Sequence, residues 1–198
     1  MRLLPVIIAL VLLSLVGCRH SASDSVLIRA EQLVDSVPQQ TLAILDTISQ
    51  QSLSDHDLYL YHFLTIKAND KLFIDHTSDS LLLLALHYGN KYPRSVNLPE
   101  LHYYAGRVYT DIGDYPTALE FYHEALDEVP DDKDLILRAK VLANMGFIFD
   151  NAHMYEHAVN AHIEAIKIDS ILGDTLNMLY DLVDLGNSYY IMNDYAKS

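Results

Sequence analysis

Tyr104-Ala105-Gly106-Arg107-Val108-Tyr109, followed by Gly113-Asp114-Tyr115-Pro116-Thr117-Ala118-Leu119, decides the fold. The pattern returns twice. Asn144-Met145-Gly146-Phe147-Ile148-Phe149 precedes Tyr155, Ala158, His162 and Ala165. Asp184-Leu185-Gly186-Asn187-Ser188-Tyr189 precedes Asn193-Asp194-Tyr195. Gly106, Gly146 and Gly186 stand 40 residues apart, and so do Tyr115, Tyr155 and Tyr195. In each unit a helix carries Gly and an aromatic three residues on, so both lie on one face. A turn follows, at Gly113-Asp114 or Asn193-Asp194. A second helix then presents Ala, an aromatic or His four residues on, and Ala again. The small residues let paired helices approach closely, and the rings fill the space beside them. Self-similarity at a fixed period is the mark of a stacked array.

The rest of the composition agrees. The 198 residues suffice for one compact domain or a short array. Thirteen Lys+Arg against 27 Asp+Glu give a net charge of −14. Nucleic-acid binding needs a basic face and is disfavoured. The single cysteine excludes an internal disulfide. A chain that is 51% apolar with 14 tyrosines is too hydrophobic to be disordered. Seven Gly and six Pro are too few for a turn-rich all-β protein.

Residues 25–93 read as two worn helix pairs. Asp24–Val37 is a helical pattern ended by Pro38, and Thr41–Ile48 is its partner. Asp55–Asn69 and Ser78–Asn90 form the next pair, with Ser78 as N-cap. Clear repeats fill 94–198, at about 99–138, 139–178 and an incomplete 179–198. Asp194-Tyr195-Ala196-Lys197-Ser198 is only the start of a second helix. Leu182, Leu185 and Tyr189 would lack the element that buries them. The chain therefore reads as part of a longer protein.

The repeats resemble the tetratricopeptide repeat family. Its motif positions are held by Gly106, Tyr109, Gly113, Tyr115, Ala118, Tyr122, Ala125 and Pro130. The second repeat departs at His153, His162 and Ser170, and the period is longer than the usual 34 residues. The resemblance implies an all-α solenoid of antiparallel helix hairpins wound as a right-handed superhelix. It also implies a concave groove that holds an extended peptide or a partner's helix. Carried onto this chain, the groove positions are Tyr103, Arg107 and Thr110, then Asn144, Phe147 and Asp150, then Tyr180, Asn187 and Tyr190. Their aromatic, Asn and Arg side chains suit protein recognition. The Lys/Asn set that clamps a carboxylate in some members is not reproduced, since only Asn144 fits it.

The chain opens with Arg2, then an apolar run from Leu3 to Val16 that is shorter than a bilayer span. It ends Leu15-Val16-Gly17-Cys18. This resembles the lipobox of bacterial lipoproteins, in which the cysteine is lipidated and becomes the new N-terminus. The resemblance implies a signal peptide at 1–17, lipidation of Cys18 and a tether at 18–24. A lipid-anchored protein of a Gram-negative cell envelope is expected. Arg19–Ser23 holds no acidic run, which favours the periplasmic side over the surface. The expected function is a non-catalytic scaffold for a protein or peptide partner, without a cofactor. The alternative is the extracytoplasmic sensor region of a transmembrane transcriptional regulator or histidine kinase.

Other motifs carry less. His153-Met154-Tyr155-Glu156-His157 matches the H-x-x-E-H zinc-peptidase pattern, but the repeat register puts His153 in a turn, off the helix that such a site requires. His123 and His162 fall near core aromatic positions and read as buried neutral imidazoles. Asp131-Asp132-Lys133-Asp134 lacks the Gly and Glu of a calcium loop and suits a helix start. No nucleophile elbow, phosphate loop or C-x-x-C occurs, and no carboxylate pair stands out for acid/base chemistry.

Overall fold

The computed structural model describes residues 22–130 and 133–195. Cys18 and the apolar run before it lie outside them. Among the described residues there are nine α-helices and no strand. They are α1 (Ala22–Leu33), α2 (Pro38–Leu45), α3 (Asp55–Lys71), α4 (Ser80–Lys91) and α5 (Leu98–Ile112). Then follow α6 (Tyr115–Asp127), α7 (Leu135–Asn151), α8 (Tyr155–Leu172) and α9 (Thr175–Tyr195). One 3-10 turn, Gln50–Ser52, separates α2 from α3.

Local chemistry sets these boundaries. The side chains of Ser54, Asp114, Asp134 and Asp174 each accept the backbone N–H three residues on. Each thereby satisfies a donor that the helix start leaves open. Gly113 and Gly173 end their helices at φ 85° and 70°, a left-handed conformation that needs no Cβ. His153 takes the equivalent turn at φ 59° despite its side chain.

Three expected boundaries move. The first helix ends at Leu33, and Pro38 opens the next one, where its missing N–H is no loss. The Ser78 hydroxyl does accept the Ser80 N–H, at 3.1 Å, but the helix begins only at Ser80. The turn expected at Asn193-Asp194 is not made, and α9 runs on to Tyr195. In the earlier units a returning helix pulls the chain round at this point. Among the described residues α9 packs on α8 and α7, and no helix follows it.

Each helix packs on the next, and the odd helices also pack on one another: α1 on α3, α3 on α5, α5 on α7 and α7 on α9. That is a stack of antiparallel hairpins, an all-α solenoid whose odd helices form the inner layer. The main core joins Tyr59, Phe63, Leu101, Tyr104, Tyr122 and Ile148, among others. A smaller cluster of Leu27, Val34, Leu45 and Leu64 sits at the α1 end.

The repeat glycines explain the hairpins. A Cβ on Gly106 would stand 2.2 Å from the Tyr122 ring, and one on Gly146 2.5 Å from the His162 ring. Gly106 and Gly146 are thus each the seat for a ring from the even helix that follows. A Cβ on Gly186 would meet nothing within 4 Å.

Candidate functional site

A cavity of about 640 Å³ opens on the inner layer between α3, α5, α7, α8 and α9. Its floor is built by a polar ladder. Arg107 on α5 donates from Nε to Asp70 Oδ1 on α3 at 2.6 Å and from Nη1 to Asn144 Oδ1 on α7 at 2.8 Å. Asn144 donates in turn to the Lys140 carbonyl. Asp70, Arg107, Asn144 and Asp181 follow one another every 37 residues. That spacing falls one helical turn short of the 40-residue register, and it places facing residues opposite one another on successive odd helices.

Five of the nine groove residues read from the sequence line this cavity: Tyr103, Arg107, Asn144, Phe147 and Tyr180. Tyr103 is buried, while Phe147 and Tyr180 are 47% and 60% exposed. The other four lie elsewhere. Thr110 is buried in the α5–α6 hairpin, donating to the Gly106 carbonyl and lying 3.2 Å from the Tyr122 hydroxyl. Asp150 accepts from the Ser188 hydroxyl of α9 at 2.8 Å and lies 3.2 Å from His162 Nε2. It ties three helices together. Asn187 and Tyr190 are exposed on α9, outside the cavity.

The sequence reading passed over Lys140, Asp169, Asp181 and Asp184, which also line the cavity. The 37-residue spacing was the signal for Asp181. Nothing local marks Asp169, which falls on α8, in the layer away from the groove, and reaches the cavity near that helix's end.

The electrostatics divide the cavity into two walls. On the α3–α5–α7 side, Lys71 pairs with Asp35 and Arg107 with Asp70. Lys140 has no carboxylate within 4 Å among the described residues, and burial together with the charge of Lys71 depresses its pKa. On the α8–α9 side stand Asp169, Asp174, Asp181 and Asp184. Burial, then the charges of Asp181 and Asp174, push the Asp169 carboxyl up to about 6. Asp184 is exposed, and partial desolvation at the wall, then the charges of Asp181 and Asp150, raise its carboxyl against the opposing charge of His162.

Two histidines depart from the sequence reading. His123 is exposed, because Tyr122 takes the inward position on α6. His162 is fully buried, as expected, but two carboxylates face it. Burial opposes its charge, yet Asp181 at 3.7 Å and Asp150 at 3.2 Å outweigh it and hold the pKa above the ordinary value.

The H-x-x-E-H pattern does not assemble. His153 lies in the turn with Nδ1 2.6 Å from the Tyr155 hydroxyl, and His157 lies against the Phe149 ring on the first turn of α8. Among the described residues no three His, Cys, Asp or Glu side chains could hold a metal ion. No described helix is long and apolar enough to cross a membrane.

No curated protein and no solved structure matches the chain. The family model for the tetratricopeptide repeat matches residues 99–132, which take in most of α5 and all of α6, and this match supports the reading of the chain as a tetratricopeptide repeat protein.

Proposed function

We propose that the chain is a non-catalytic scaffold that holds a segment of a partner protein in the inner-layer cavity. In this reading it is tethered by lipid on Cys18 to the cell envelope of a Gram-negative bacterium, on the periplasmic side. One observation carries the binding role. The cavity combines exposed aromatic surface, Phe147 and Tyr180, with a rigid polar floor of Arg107 and Asn144. Exposed rings supply contact area at low entropy cost, and a floor held by its own hydrogen bonds needs no reordering on binding. The repeat match points the same way, since such repeats suggest protein–protein interaction. The tether rests on Leu15-Val16-Gly17-Cys18 alone.

Panning a random peptide library on the full chain in detergent micelles tests the groove. Peptides should be selected whose binding weakens by about tenfold in Phe147→Ala/Tyr180→Ala. Both side chains are exposed, so the variant should keep its melting temperature. Selected peptides that ignore these substitutions would move the binding surface elsewhere. A library that yields none would overturn the scaffold reading.

A further inference from the structure

We propose that the α8–α9 wall of the cavity receives a cationic side chain, an arginine or lysine of the bound segment, with Asp169 and Asp184 as its carboxylate partners. This rests on the scaffold reading and names the chemistry of its partner.

Asp169 gives the first observation. It is 2% exposed, its Oδ2 has no hydrogen-bond partner, and it lines the cavity. A buried carboxylate oxygen without a donor carries its desolvation cost uncompensated. Oδ2 is sealed from solvent, so a ligand donor meets it once the Asp169 side chain turns toward the cavity, and that contact removes the cost.

The balance of charge gives the second. Asp174, Asp181 and Asp184 line the same wall. His162 serves Asp150 and Asp181. Neither Asp169 nor Asp184 has a cation within 4 Å among the described residues. Asp174 is engaged in capping α9. The wall therefore has more carboxylates than positive partners.

The arrangement also selects the kind of cation. No three of these carboxylates converge as a metal ion requires. They are strung along the end of α8 and two turns of α9, which suits a guanidinium or ammonium on a long stem. Tyr180 offers a ring face beside them, and Phe147 and Leu172 offer apolar cover for the stem. Lys140 on the opposite wall repels a cation and so fixes which way the segment lies.

Fluorescein-labelled hexa-arginine is the probe, titrated onto the full chain in detergent micelles at about 0.15 M salt and followed by anisotropy. Hexa-citrulline, equal in shape and uncharged, is the companion probe. Asp169→Asn/Asp184→Asn should weaken hexa-arginine by about tenfold. Glu120→Gln/Asp127→Asn removes the same charge from the exposed face of α6 and should change it by less than about twofold. Hexa-citrulline should not bind. Asparagine is isosteric with aspartate, and melting curves confirm that both variants fold. Equal weakening in the two variants would mean general attraction to an acidic protein and would overturn the proposal. So would hexa-citrulline that binds as well as hexa-arginine, or hexa-arginine that does not bind. The library panning reads the scaffold separately. Groove-dependent peptides without a basic residue would sink this inference and leave the scaffold standing.

Discussion

Gly146 on α7 is the seat of His162 on α8: a Cβ on the glycine would lie 2.5 Å from the imidazole Cε1. The ring therefore fills the room that a side chain would take. This position separates a structural glycine from a permissive one. Gly146→Leu must displace a fully buried ring or the helix that carries it, and should cost about 1–3 kcal/mol. Gly186→Ala meets nothing and should stabilise α9 by about 0.5–1 kcal/mol through helix propensity. Urea denaturation of the two variants checks the pair, and equal effects would mean that the repeat register is misplaced.

The same imidazole makes stability depend on pH. The folded pKa of His162 is raised, so its contribution is complete below the unfolded value near 6.5 and is lost as pH rises through the folded value. His162→Phe leaves Asp150 and Asp181 without their positive partner and should cost about 3 kcal/mol at pH 6. The deficit should shrink toward pH 9. Melting temperatures of both proteins at the two pH values give the answer, and a deficit independent of pH would remove charge from the explanation.

Asp169 shows the opposite of the usual carboxylate behaviour. Its folded pKa is raised to about 6, so the folded state favours the protonated form. Its destabilising effect is absent below the unfolded value of 3.8, grows as pH rises from there to about 6, and is complete above that. Asp169→Asn should leave stability unchanged at pH 3 and raise it by about 1–2 kcal/mol at pH 7.5. Thermal unfolding at the two pH values decides, and an equal effect at both would mean that the carboxyl is not strained by its surroundings.

The polar ladder should be unequal in its rungs. Arg107→Met removes the cation between Asp70 and Asn144 and should cost about 3 kcal/mol, because Asp70 is left as an unpaired carboxylate whose side chain is only 13% exposed. The double variant Arg107→Met/Asp70→Leu should recover much of that loss. A double-mutant cycle in urea measures it, and strictly additive costs would mean that the pair does not act together.

For the tether the expectation is simpler. Cys18→Ala should release the protein from the membrane fraction or block its maturation. A variant that stays membrane-bound at normal size would refute lipidation at this residue.

What the sequence determined by itself is the fold class and the hairpin register. Gly106, Tyr122, Gly146 and His162 already specify which helices pair, because a missing side chain and a large ring must occupy one space. Helix starts at Asp114 and Asp134 were equally legible, since capping is local in sequence. The tertiary structure decided everything that depends on contact between successive repeats. Thr110 and Asp150 share the repeat positions of groove residues, yet their hydroxyl and carboxylate are taken by neighbouring helices. The pKa of His162 is raised because two carboxylates from α7 and α9 reach it, and neither is near it in sequence. Asp169 sits on a helix of the layer away from the groove, and only the packing of α9 turns it into the cavity wall. Periodicity fixes the face on which a residue lies. Which polar groups meet across that face depends on the offset between stacked helices, and the repeat length alone does not contain it.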